Sequence, residues 1–181
     1  MSASVFQKQA FALLEQVFSQ GDVCSEFSIG TGATDVFAGA KRYLPRLDLA
    51  VGPFNVSTER DVNSRLIRAK RDHALIQKII FRARQQNAGE FHENANPRCL
   101  LAVEIEFSGS PKLILGDFTN ASMMGLVGLV VGPSSGKYMQ QILRVAEYVR
   151  TLRKLEKAPE HLFTNVACMD ENEFKALFNG L

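Results

Sequence analysis

Three carboxylates stand where apolar residues are expected. Asp48 interrupts Leu47-Asp48-Leu49-Ala50-Val51, and Glu104 and Glu106 interrupt Val103-Glu104-Ile105-Glu106-Phe107. Side chains alternate between the two faces of a strand. Leu47, Leu49 and Val51 therefore take one face and Asp48 the other, while Glu104 and Glu106 share a face opposite Val103, Ile105 and Phe107. Carboxylates side by side in the middle of a sheet repel one another unless something cationic lies between them. A hard divalent cation is the economical partner, because Mg²⁺ takes oxygen ligands and often only one or two carboxylates. The bland alternative is a solvated sheet face carrying ordinary acidic residues.

Between these strands lies Asn63-Ser64-Arg65-Leu66-Ile67-Arg68-Ala69-Lys70-Arg71 and its continuation to Gln86, rich in basic residues. At about 100° per residue, Arg68, Arg71, Lys78 and Arg82 fall in one sector, opposite an apolar stripe of Val62, Leu66, Ala69, Ile76, Ile80 and Ala83. A row of cations on one helix face is what counterion release from a phosphate backbone requires, and such contacts position a nucleic acid without reading its sequence. The alternative is a solvated helix whose bases pair with acids elsewhere in the chain.

The elements that must position these groups follow from periodicity. Helices are expected over residues 5–18, 62–86, 119–124, 137–157 and 171–178, and strands over 24–29, 47–51, 99–107, 127–131 and 161–168. Residues 112–115 read as a hairpin partner of the strand before them, across Ser108-Gly109-Ser110-Pro111. The pair Gly30 and Gly32 completes no glycine-rich phosphate motif. The expected fold is α/β, a mixed central sheet flanked by helices, in a single domain over residues 1–181 with a helical insertion at about 55–97.

That order of elements and acids resembles the PD-(D/E)xK nuclease superfamily: a helix bearing a Glu, an Asp on a strand, E-x-E on the next long strand, then a crossover helix and strand. The resemblance spans about residues 5–131 and implies a restriction endonuclease-like core. It makes Asp48 the metal-ligating Asp and Glu104 the acid of the (D/E)xK element. Glu106 falls where a Lys usually stands, and some restriction endonucleases of the superfamily carry Glu there. Glu15 on the first helix matches the extra Glu that some members place near the metal. Two departures are plain: Leu47 rather than Pro precedes Asp48, and a whole helix separates Asp48 from Glu104. The implied activity is Mg²⁺- or Mn²⁺-dependent hydrolysis of DNA phosphodiester bonds. In it Asp48 and Glu104 hold the ion, Glu106 completes its shell or orients water, and Lys112 stabilises developing charge. Asn120, just after the motif strand, is a candidate substrate contact, and a homodimer is an expectation of the same resemblance. The alternatives are a catalytically inactive nuclease-like domain that binds nucleic acid or assembles, and a nucleotide-binding protein using Gly132-Pro133-Ser134-Ser135-Gly136-Lys137. That last segment has one residue too few for a Walker loop, and Tyr138 replaces its hydroxyl residue.

Composition narrows the class without naming a partner. The chain has 181 residues, 46% hydrophobic and 22% charged, which suffices for a buried core and excludes disorder and disulfide scaffolds. Twenty-one Lys and Arg against 19 Asp and Glu leave +2, so the placement of bases matters more than their number. Three scattered cysteines without a CxxC fit a reducing cytoplasm. No signal peptide is expected, and the longest apolar run, 123–131, is too short for a membrane span.

Overall fold

The computed structural model describes residues 1–19, 21–28, 45–55 and 61–181, the side chains of 61–63 excepted. Ile29 of the first expected strand, the Gly30–Gly32 pair and the Val62 side chain lie outside the described residues. The elements run α1 (Ala3–Glu15), β1 (Val23–Ser28), β2 (Arg46–Val51), α2 (Asp61–Ala69), α3 (Ala74–Gln86), β3 (Cys99–Ile105), α4 (Pro111–Met124), β4 (Gly125–Gly132), α5 (Lys137–Lys154), β5 (Val166–Asp170) and α6 (Glu171–Ala176).

The strands form one mixed sheet in the order β1-β2-β3-β4-β5. β1, β2 and β3 are an antiparallel meander, and β3, β4 and β5 run parallel. Helices cover both faces, as parallel strands require. On one face Phe6, Ala10 and Leu14 of α1, Ile76 and Ile80 of α3 and Phe174 of α6 pack on Leu49, Val103, Leu129 and Met169. On the other, Ile114, Phe118 and Ala121 of α4 and Ile142 and Val149 of α5 pack on Ala50, Ala102, Val130 and Cys168. β4 is buried along its whole length, which explains its unbroken apolar sequence. The α/β class and the mixed, helix-flanked sheet are thus present. Among the described residues no helix is long and apolar enough to cross a membrane.

Three expected elements differ. The helix over 62–86 is two helices, broken at Lys70–His73. His73 Nδ1 accepts from the Leu75 amide at 3.2 Å and caps α3, a local bond that competes with the helical ladder. The expected strand at 112–115 is the first turn of α4. Ser110 is its extended N-cap and Pro111 its first residue, where the missing N–H costs nothing. The last strand starts at Val166, not 161, because His161–Asn165 form a turn in which Phe163 takes φ 60°.

Gly128 lets α4 lie against the sheet. A Cβ there would stand 2.9 Å from the Ala121 carbonyl group and 2.9 Å from Val166 Cγ2. Gly128→Ala is expected to cost about 1–3 kcal/mol through overpacking, read as a lower midpoint in denaturant unfolding with an unchanged slope.

Candidate functional site

The β2–β3 ladder pairs Val51 with Leu101, Ala50 with Ala102 and Leu49 with Val103. β3 then stays with β4, pairing Ile105 with Val131, and the Glu106 amide donates to the Val131 carbonyl at 2.9 Å. At Asp48 side chains carry the link between β2 and β3. The Asp48 amide donates to Glu104 Oε2 at 3.3 Å, and the Ile105 amide donates to Asp48 Oδ2 at 2.7 Å. Buried amides need acceptors, and here two carboxylates supply them.

The regular alternation of β2 also breaks at this point. Leu49 packs with α1 and α3, whereas Leu47 packs with Phe27 in the opposite layer, so the expected common face of Leu47, Leu49 and Val51 does not form. On β1 Glu26, between the paired Ser25 and Phe27, takes φ 54°. Gln7 of α1 donates to Glu26 Oε1 and to the Asp48 carbonyl, each at 3.0 Å. Arg46 pairs with Glu26 at 2.9 Å.

Glu104 is 4% exposed and accepts from Asn120 Nδ2 at 3.0 Å. Asp117 and Asn120, three residues apart on α4, share a helix face. Glu106 turns back onto its own loop, accepting from the Ser108 amide at 2.7 Å and from the Gly109 amide. A Cβ at Gly109 would overlap the Glu106 carboxyl, so this fold-back requires glycine. Asp117 lies beside Glu106, and its buried Oδ2 has no hydrogen-bond partner among the described residues.

Burial and mutual repulsion hold protons on this cluster. Burial pushes Glu104 up to about 8, against the stabilising bond from Asn120. Burial, with Glu104 and Glu106 nearby, pushes Asp117 up to about 8. Asp48 is also raised by burial, opposed by the Ile105 amide. The structure thus places Asp48, Glu104 and Glu106 near one another. Among the described residues no three His, Cys, Asp or Glu side chains are set as a ready metal cage. Glu106 faces its loop amides and Asp48 faces Ile105, so neither is turned towards a common point.

Other expected site residues lie elsewhere. Glu15 is exposed at the end of α1, about 12 Å along the helix from Gln7; Gln7 is the α1 residue that reaches Asp48. Lys112 is exposed on α4, about 140° around the helix from Asp117, and lines a groove against α5. It does not sit on a hairpin beside the acids. Asn120 is 8% exposed and orients Glu104 rather than facing outward. The expected row of cations is engaged within the chain. Arg71 and Arg68 pair with Glu93 at 2.6 and 3.8 Å. Lys78 donates to the Leu177 and Asn179 carbonyls, and Arg82 pairs with Glu173 at 2.6 Å. The segment 132–137 forms a plain loop: Ser134 Oγ bonds to Glu171 at 3.0 Å, and Lys137 Nζ stands 5.3 Å from the Tyr138 ring.

Asp117, Glu26 and Gln7 are site residues that the sequence reading missed. Asp117 and Asn120 at i and i+3 would have marked a polar face of α4, had the helix been started at Pro111.

These observations define an α/β protein with a desolvated carboxylate cluster at the parting of two central strands. Comparison with protein-family models, characterised proteins and solved structures finds no significant match.

The raised acids set a pH dependence. Below about 4 Glu104 and Asp117 are protonated in both folded and unfolded chains. As pH rises to about 8 the unfolded chain loses those protons first, from reference values of 4.5 and 3.8, so stability falls across that window. Thermal melting in chelator is expected to show this fall, and Asp117→Asn to reduce it.

Proposed function

We propose that the protein is a metal-dependent nuclease with a restriction endonuclease-like core, hydrolysing DNA phosphodiester bonds at the Asp48–Glu104–Glu106 cluster. The observation that carries the reading is the proximity of these three acids at the parting of β2 and β3, with Asp117 beside them. The order helix, strand with Asp48, strand with Glu104, crossover helix and parallel strand supports it, being the order on which the resemblance rests.

The donor set suits Mg²⁺ or Mn²⁺: oxygen ligands only, with repulsion that a cation relieves, and in Asp117 Oδ2 a buried acceptor lacking a partner. When bound, the ion supplies an activated water and polarises the scissile phosphate. Asp48 and Glu104 would hold it, and Asn120 fixes the Glu104 carboxyl through its amide. Glu106, held here by the Ser108 and Gly109 amides, would complete the shell or orient water. Asp117, protonated up to about pH 8, would stand beside Glu106 as a neutral carboxyl.

A second reading, an inactive nuclease-like domain that binds nucleic acid or assembles, draws on the absence of a ready metal cage among the described residues. Nucleotide binding at 132–137 is disfavoured, because Glu171 already occupies the Ser134 hydroxyl.

Calorimetry with Mg²⁺ and Mn²⁺ separates the first two readings. The wild type is expected to bind, alone or with DNA present, and to nick DNA. Asp48→Ala is expected to abolish both, and Asn120→Ala to weaken metal affinity by roughly 10–100-fold, as loss of an outer-shell partner does. A wild type that binds neither ion, even with DNA, sinks the catalytic reading.

A further inference from the structure

We propose that the groove between α4 and α5 binds single-stranded nucleic acid, with phosphates on Lys112 and Arg144 and a base stacked on Tyr148. The proposal rests on the nuclease reading for the identity of the polymer and names the form in which the polymer is taken.

The groove has a volume of about 480 Å³ and is lined by Lys112, Leu115, Gln141, Arg144 and Tyr148, with no carboxylate among its lining residues. On α5 Gln141, Arg144 and Tyr148 recur at helical spacing and share one face; on α4 Lys112 and Leu115 do the same. Tyr148 is 60% exposed and Leu115 40%. The Lys112 and Arg144 side chains are exposed and make no ion pair or hydrogen bond among the described residues. This sets them apart from Arg68, Arg71, Lys78 and Arg82, whose charges are engaged within the chain.

Unpaired cations interleaved with an exposed aromatic are what a single strand requires. Cations follow the backbone, and every base offers a face for stacking. A duplex conceals those faces and leaves Tyr148 unused. Along the chain the groove joins the acid cluster: Pro111, at its α4 end, follows by two residues the Gly109 whose amide holds Glu106.

The test is fluorescence anisotropy in EDTA, with labelled oligothymidylate and a labelled duplex. The single strand is expected to bind more tightly. Lys112→Glu combined with Arg144→Glu is expected to weaken it at least about tenfold and to reduce the slope of log K on log salt by about 1.4, twice the single-strand value per phosphate contact. Tyr148→Ala is expected to weaken binding about tenfold with the slope unchanged. Circular dichroism and melting of these surface variants are expected to match the wild type. Equal or tighter duplex binding, no binding to either probe, or affinity unchanged in both variants overturns the proposal. So does a dimer that Tyr148→Ala dissociates in sedimentation velocity, since a second copy then fills the groove. Chelation keeps metal chemistry out of the assay, so its failure indicts the groove, whereas failed calorimetry or cleavage indicts the nuclease reading.

Discussion

The Ile105 amide has its acceptor in Asp48 Oδ2, and the Asp48 amide has its acceptor in Glu104 Oε2. Much else at the site follows from these two bonds. They let β3 leave β2 for β4 without orphaning buried donors, a loss that costs about 1–3 kcal/mol for each group left unsatisfied. They also fix both carboxyl groups where water is scarce. Asn120 then has a defined acceptor, α4 has a reason to lie over this end of the sheet, and Asp117 is carried in beside Glu106. The arrangement is electrostatically costly: Glu104 and Asp117 hold protons to about pH 8 because burial and their neighbours disfavour the charged forms. A structure that needed only the two amide bonds could have met them with neutral amides.

The basic residues of α2 and α3 have a different role from the one their spacing suggested. Arg71 and Arg68 anchor the loop through Glu93, and Arg68 also donates to the Ala95 carbonyl at 3.0 Å. Lys78 meets carbonyls beyond α6, where helix-end acceptors and the helix dipole favour a cation. Arg153, with 7% of its side chain exposed, ties α5 to Leu162 and Asn87. Individually, the more exposed of these pairs, those of Arg68 and Arg71, add little stability. Together they use up most of one helix face as cross-links between elements.

How much was legible depended on whether a signal was local. The central strands β2, β3 and β4 stood out because β-branched and apolar runs bounded by Gly and Pro have few other homes. Strand alternation put Asp48 on one face of its strand and Glu104 with Glu106 on one face of theirs, but not the two strands side by side. Three features were not local. Pro111 reads equally as a turn residue and as a first helical residue, and only the packing of Ile114 and Phe118 on the sheet decides between them. The break at His73 rests on one side-chain cap, with the ring lying 4.5 Å from Phe18. The switch of face between Leu47 and Leu49 depends on Glu26 across the ladder, which no pattern within β2 reveals. Helical spacing likewise showed which bases share a face, but not that Glu93 and Glu173 wait opposite them.

The helix layer over α1, α3 and α6 draws on distant stretches of chain. Phe6 stacks on Phe107 with ring centres 5.6 Å apart and meets Phe174 edge-on at 5.6 Å, so the first and last helices close over the same strand ends. Contacts of such sequence separation form late, because the loop-closure entropy must be spent before they return anything. Until α6 docks, one apolar face of the sheet stays open around Phe6 and Phe107. Opening of α6 alone therefore uncovers Phe6 and the apolar ends of the central strands, the kind of surface through which α/β chains associate wrongly.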